Sequence, residues 1–133
     1  MLRASRLMTT IQPASAAGGV SPITTHALDT ASGLPASGLD ILLQKRNGDA
    51  WTDLTTGTTN GDGRLPGLLK VGDARYGPGV YRMTFNTGKY FADRNLETFY
   101  PTVKVVFEIK DPALHYHVPL LVSPFGYSTY RGS

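Results

Sequence analysis

Two of the chain's three histidines, His115 and His117, lie one residue apart near its end. Side chains alternate across a β-strand with a period of two, so a strand here would place both imidazoles on one face. The opposite face is apolar and is expected to pack into a core; it carries Tyr116, Val118, Leu120 and Val122. The two histidines are therefore expected to point away from the core or into a second interface.

The segment that starts with these histidines, HYHVPLLVSPFGYSTYRGS, finishes with Tyr130, Arg131, Gly132 and Ser133. Chain ends usually fray and carry little function. A frayed end has no need of an aromatic ring, whereas an end docked in a cleft could supply a phenol and a guanidinium. Pro119 has no amide hydrogen for a β-ladder, so its position is expected to be either at a sheet edge or at a local irregularity.

Residue types alone leave three interpretations of the histidines open. In the first, they are exposed or hydrogen-bonded and carry out no chemistry. In the second, His115 and His117 join His26 as the three ligands of a catalytic zinc ion. In the third, neutral imidazoles act as metal-free acid–base groups that activate water. Arg64 is a candidate neighbour, and its guanidinium would oppose a bound dication.

Strands and turns are predicted from residue 22 onwards. The β-prone runs lie at residues 23–28, 39–44, 51–56, 80–85 and 102–109. Asn47-Gly48 tolerates positive φ and predicts a hairpin turn, and a second tight turn at residues 59–63 leads directly into Arg64. Turn signals recur about every 8–12 residues, which is typical of a β-sandwich or barrel. We therefore predict an all-β domain of about seven or eight strands.

One stretch departs from the strand pattern. Residues 87–96, TGKYFADRNL, lack alternation and place Tyr90, Phe91 and Arg94 at helical spacing. We predict a single short helix there, with Thr87 as its cap.

Composition limits the classes of function. The 133 residues suffice for one domain, and the absence of cysteine excludes disulfides, thiol catalysis and thiolate metal sites. The formal net charge of +3 is scattered, without the basic stripe that nucleic-acid binding favours. No run approaches the roughly 20 apolar residues of a membrane helix. We expect neither a nucleic-acid partner nor a membrane span.

The start of the chain differs from the rest. Residues 1–21 are predicted to form an amino-terminal extension, and residues 22–133 the folded domain. The extension contains arginine and serine, lacks acidic residues and shows no apolar periodicity, which fits either a disordered tail or an organelle-targeting segment. A cytoplasmic or peroxisomal location is expected.

Four segments resemble the transthyretin-like family and, within it, the branch of 5-hydroxyisourate hydrolases: TTHALDTASGLPA (24–36), TNGDGRL (59–65), ETFYPTVKVVFE (97–108) and the closing segment (115–133). The resemblance implies a two-sheet β-sandwich with one short helix, assembled as a homotetramer that is a dimer of dimers. It implies a cyclic amidohydrolase that converts 5-hydroxyisourate to 2-oxo-4-hydroxy-4-carboxy-5-ureidoimidazoline in urate degradation. No metal or organic cofactor is implied.

The resemblance also implies roles for individual residues. His26, Arg64 and His117 match the catalytic positions of the family, and His26, Arg64 and Tyr130 match its substrate contacts. His115, Arg131 and Ser133 are weaker candidates for the same site. Thr102 departs from the family pattern, in which an acidic residue is common. The alternative function is a transthyretin-fold carrier that binds a small ligand without turnover.

Overall fold

The computed structural model describes residues 21–133, which form two β-sheets and one short helix. Its elements are β1 (Ile23–Asp29), β2 (Leu34–Pro35), β3 (Asp40–Asn47), β4 (Ala50–Thr58), β5 (Gly79–Phe85), α1 (Thr87–Ala92), β6 (Val103–Ile109), β7 (Tyr116–Ser123) and β8 (Gly126–Thr129). The predicted all-β class, with about seven or eight strands and one short helix, is confirmed.

Each sheet contains four strands. The first sheet has the order β2-β1-β7-β8 and the second has the order β4-β3-β5-β6. All pairings are antiparallel except that between β1 and β7, which run parallel. Strands β1 and β7, which are far apart in the sequence, therefore lie side by side in the centre of the first sheet.

The core lies between the two sheets and follows the alternation of their strands. In β1, the buried residues are Ile23, Thr25, Ala27 and Asp29, while the residues between them are only partly buried. In β7, the predicted apolar set is confirmed as core: Tyr116, Val118, Leu120 and Val122 are 0–7% exposed. The second sheet contributes the large buried side chains Tyr81, Met83 and Phe85. Burying such apolar area is the main favourable contribution to folding.

Two local predictions need correction. The short strand β2 is missing from the predicted β-prone runs, because a two-residue strand is too short to show alternation. The helix ends at Ala92 rather than at residue 96, and Asn86, not Thr87, is its cap. The Asn86 side chain accepts a hydrogen bond from the Lys89 amide, whereas the Thr87 hydroxyl donates to the carbonyl of Tyr100.

Pro119 produces a local irregularity inside the sheet. Strand β7 is interior, so the predicted edge position is wrong and the predicted irregularity is confirmed. Pairing between β7 and β8 ends at Leu120 and Thr129, and it resumes as a single bridge between His117 and Gly132. Opposite the gap, Pro119 has no amide hydrogen to donate, and its carbonyl accepts the Thr129 hydroxyl at 2.7 Å.

The predicted extension falls almost entirely outside residues 21–133, so its expected disorder or targeting role stays a prediction. Across the stretch that the structure describes, no helix has the length and apolar character needed to cross a membrane.

Candidate active site

The parallel pairing of β1 with β7 brings two of the predicted site residues onto one surface. Thr24 lies opposite His117, and His26 lies opposite Pro119. Thr24, His26 and His117 are all partly buried, whereas their strand neighbours Thr25 and Val118 are buried in the core. Both imidazoles therefore belong to the outer face of the first sheet.

His117 is held from two sides. The Thr24 Oγ1 atom is hydrogen-bonded to Nδ1 of His117 at 2.8 Å and to Nε2 of His115 at 3.0 Å. On the other side, the Gly132 amide donates to the His117 carbonyl at 2.9 Å. A β-carbon at Gly132 would lie 2.5 Å from Cδ2 of His117, so only glycine fits against the ring. Within residues 21–133 nothing hydrogen-bonds Nε2 of His117, which leaves that nitrogen available to a ligand.

A tightly bonded turn brings Arg64 to His26. The Asn60 Oδ1 atom accepts the amides of Asp62 and Arg64, and the Asn60 amide donates to the Arg64 carbonyl. Gly63 has a φ of 73°, and a β-carbon there would collide with the carbonyl of Ala27. The turn joins β1 through an antiparallel bridge between Arg64 and His26. Its backbone is thus fixed, although the Arg64 side chain is exposed.

The surroundings of both imidazoles favour the neutral form. Burial is the main cause that lowers the pKa of His26, and the positive charge of Arg64 is the second; the backbone and charge of Asp62 oppose them. The pKa of His117 is lowered in the same way, first by burial, then by Arg64, His115 and His26. Because one guanidinium acts on both rings, His26, His117 and Arg64 form one electrostatic unit.

The Arg64 guanidinium itself is uncommitted. No group in the described part of the chain forms a hydrogen bond or an ion pair with it. Its donors are therefore free to bind planar oxygen atoms of a ligand.

The side chains of the last four residues lie on two opposite sides of the chain: the histidine face and the core side. Continuing the β7–β8 register through the Gly132 bridge places Tyr130 opposite Pro119, on the histidine face, where its side chain is 60% exposed. The Arg131 guanidinium instead lies 4.6 Å from the centre of the Tyr116 ring, on the core side of β7. By alternation Ser133 shares the side of Arg131. The geometry thus favours Tyr130 as a site residue and does not favour Arg131 or Ser133, whose roles stay predictions.

Residues 21–133 contain no set of side chains that could serve as the ligands of the zinc interpretation. No group of three or more metal-ligating histidine or acidic side chains converges in this part of the chain. His115 and His117 are instead bridged by the Thr24 hydroxyl.

Sequence reasoning missed Thr24, Asn60 and Gly132 as supports of the site. Thr24 precedes His26 by two residues, so alternation places it on the same face. Its pairing with His117, 93 residues away, has no local signal. Asn60 stands in a predicted turn, where asparagine commonly accepts backbone amides.

The model of the HIUase/Transthyretin family matches residues 23–132. This chain belongs to that family. The 5-hydroxyisourate hydrolase of Mus musculus is 50% identical over 115 residues, which cover 85% of this chain and 96% of the mouse protein.

Two solved structures extend the comparison. Sea bream transthyretin in complex with thyroxine has a TM-score of 0.79 at 30% identity and covers 84% of this chain and 95% of its own. The 5-hydroxyisourate hydrolase of Klebsiella pneumoniae has a TM-score of 0.72 at 33% identity and covers 84% of this chain and 98% of its own. The solved structures similar to this chain thus include both a hydrolase and a transthyretin in complex with thyroxine.

Proposed function

We propose that this protein hydrolyses 5-hydroxyisourate. The observation that carries the proposal is the outer face of the first sheet, where His26 and His117 have lowered pKa values beside the free guanidinium of Arg64. A general base, a general acid and a cation that stabilises the oxyanion all assist amide hydrolysis, and these three side chains can supply them. The mouse relative of that name supports the substrate.

In the proposed reaction, water attacks a ring carbonyl and one amide C–N bond breaks. The Nε2 atom of His117 accepts the proton of the attacking water, because Nδ1 is occupied by Thr24. The Arg64 guanidinium binds the carbonyl oxygen and stabilises the negative charge that develops on it. The departing nitrogen takes up a proton, and the new carboxyl group is ionised at pH 7. Each turnover therefore releases one proton.

His26 and Tyr130 complete the proposed site. His26 lies in the row between Arg64 and Pro119. It is placed to protonate the departing nitrogen or to hold the ring by a hydrogen bond. Tyr130, at the other end of this row, would pack against the flat substrate and contact it through its hydroxyl.

We also propose the homotetramer, a dimer of dimers. Strands β6 and β8 are edges of their sheets and leave backbone groups unpaired. Phe99, Phe125 and Tyr127 are 69%, 68% and 43% exposed, with Tyr127 on the β8 edge. Large exposed aromatic side chains beside open edges favour association of identical copies. Analytical ultracentrifugation should give four times the monomer mass, and a monomer would contradict this proposal.

The remaining assignments are also proposals. We assign residues 22–133 to the hydrolase domain and residues 1–21 to an extension, in a protein of the cytoplasm or the peroxisome. Fluorescent fusions with and without residues 1–21 distinguish these compartments.

A coupled assay tests the activity. Urate oxidase generates 5-hydroxyisourate, and ultraviolet absorbance follows its decay with and without the protein. We expect faster decay, retained after exhaustive chelation because the chain's own groups supply base and cation. Binding of the substrate without faster decay would support the carrier alternative instead. Loss of activity on chelation would reinstate a metal mechanism.

A further inference from the structure

We propose that Thr24 is a positioning residue for His117 and that His117, Thr24 and His115 form a relay that carries the reaction's proton to solvent. This inference deepens the proposed hydrolase function and rests on it. The geometry behind it is the pair of hydrogen bonds that the Thr24 hydroxyl forms, at 2.8 Å to His117 and at 3.0 Å to His115.

The hydroxyl can serve both rings because it is a donor and an acceptor at once. In one polarity, Nδ1–H of His117 donates to Thr24, and the Thr24 hydroxyl donates to Nε2 of His115. In the other polarity, both bonds are reversed. Only in the first polarity does His117 keep the lone pair on Nε2 that the attacking water requires. The Thr24 hydroxyl therefore couples the tautomer of His117 to that of His115.

The relay gives the proton that each turnover releases a path to solvent. When Nε2 of His117 takes the proton of water, the ring becomes an imidazolium that carries a proton on each nitrogen. If the Nε2 proton then moves to the departing nitrogen, Nε2 is free to take up the proton of the new carboxyl group, and the ring is again an imidazolium. Shifting the Nδ1 proton to Thr24 while the Thr24 hydroxyl proton shifts to His115 moves one charge outward, and no bond other than those to hydrogen changes. After the product leaves, exchange with water at His115 and at Nε2 of His117 restores the starting polarity.

The positions of the two histidines fit this direction. His117 is partly buried on the central strand β7, whereas His115 precedes the strand and is exposed. Other charged or titratable groups that act on His117 are Arg64 and His26, and neither is bonded to Thr24. Thr24 is thus the described group that links the inner imidazole to an imidazole in contact with water.

Three threonine variants test the positioning role. Thr24→Val keeps the shape and removes the hydroxyl, and we expect kcat to fall about 10-fold, the rate equivalent of one hydrogen bond to a charged group, with KM little changed. Thr24→Ser keeps the hydroxyl and should retain most of the rate. Thr25→Val is the matched control, because its hydroxyl bonds the Val118 carbonyl on the core side. It should cost stability and leave kcat near the wild-type value. Equal kcat values for Thr24→Val and the wild type would overturn the role.

His115→Gln tests the relay itself. Glutamine keeps a hydrogen-bonding group for Thr24 but does not titrate. We expect kcat to fall several-fold in dilute buffer and to recover when imidazole is added, since free imidazole can accept the proton; the wild type should show no such recovery. A His115→Gln rate equal to that of the wild type in dilute buffer would refute the relay.

A measurement without substrate separates failure of the relay from failure of the hydrolase proposal. In ¹⁵N NMR titrations, protonation of His115 should shift the ring nitrogens of His117 in the wild type and in Thr24→Ser, and this coupling should be reduced in Thr24→Val. Unreduced coupling would overturn the link even if the protein turns over 5-hydroxyisourate. Absence of turnover by the wild type would instead count against the proposed function.

Discussion

The outer faces of the two sheets each carry an arginine, and the two guanidinium groups differ in whether they have bonding partners within the chain. On the second sheet, Arg82 stacks 4.3 Å from the centre of the Trp51 ring and donates to Oε1 of Gln44 at 2.9 and 2.7 Å. Gln44 in turn donates to Asp53 at 2.8 Å. On the first sheet, the Arg64 guanidinium has no partner in residues 21–133, and its backbone alone is anchored.

The difference distinguishes an outer face whose arginine bonds within the chain from one whose arginine has free donors within residues 21–133. Arg82 donates from Nε and Nη2 to Gln44, so these donors on the outer face of the second sheet belong to a polar network within the chain. Arg64 and the two imidazoles keep unused donors and acceptors on a face with lowered histidine pKa values. A polar cluster that its own chain leaves unsatisfied is suited to bind and activate a ligand.

The largest effects are expected from removing an imidazole of the open face. His117→Ala and His26→Ala should each slow decay of 5-hydroxyisourate by about 10²–10⁴-fold, the usual contribution of general acid–base catalysis. Circular dichroism and ultracentrifugation should show the wild-type fold and mass. Near-normal rates in both variants would remove the acid–base role.

The two arginines provide a matched pair. Arg64→Ala should lower kcat by about 10²–10³-fold, as expected for a lost oxyanion donor, with little change in the free energy of unfolding. Arg82→Ala should do the reverse: it leaves the buried Gln44 carbonyl without its donor and should cost about 1–3 kcal/mol of stability while kcat stays near normal. Urea unfolding and the coupled assay measure both quantities. Similar losses of kcat in the two variants would contradict the proposed difference between Arg64 and Arg82.

Substitutions of two glycines test the position of the His117 ring, with a smaller expected loss of kcat. Gly132→Ala adds a methyl group against the His117 ring and should lower kcat about 10-fold by displacing it, since misplacing a catalytic group is costly. Gly126→Ala is the control, because its added β-carbon would lie 3.8 Å from the Ser123 hydroxyl. It should leave kcat unchanged. Crystallographic overlap of the His117 ring in wild type and Gly132→Ala would argue against displacement.

The most gradual effect is that of pH. Both histidine pKa values lie below the ordinary value of 6.5, so folding favours the neutral rings. This stabilisation is fully present above pH 6.5 and is lost as the pH falls through the folded-state values. Activity should decline over the same acidic window, because protonated His117 accepts no proton. In Arg64→Ala, NMR titration should show both pKa values moved upward; unchanged values would disprove the shared electrostatic influence.

The sequence predicts local features of this molecule well. Alternation identified the buried face of β7 and the outward direction of His115 and His117, and turn chemistry identified the loop before Arg64. The resemblance supplied the two-sheet arrangement. The parallel pairing of β1 with β7 joins residues about 93 positions apart, so no local pattern reveals that Thr24 meets His117. Likewise, the contact that makes Gly132 necessary depends on where the His117 ring lies.

Pro119 has a consequence for motion at the site. Because Pro119 has no amide hydrogen to donate toward β8, the backbone of Tyr130 and Arg131 is joined to β7, within residues 21–133, through the bridge at Gly132, and the Arg131 guanidinium packs on the Tyr116 ring. We expect this end to open more readily than the pairing of β1 with β7, because fewer backbone hydrogen bonds hold it. Amide hydrogen exchange should therefore be faster at Gly132 than at Ala27, and it should slow when a ring-shaped ligand is trapped under the Tyr130 side chain.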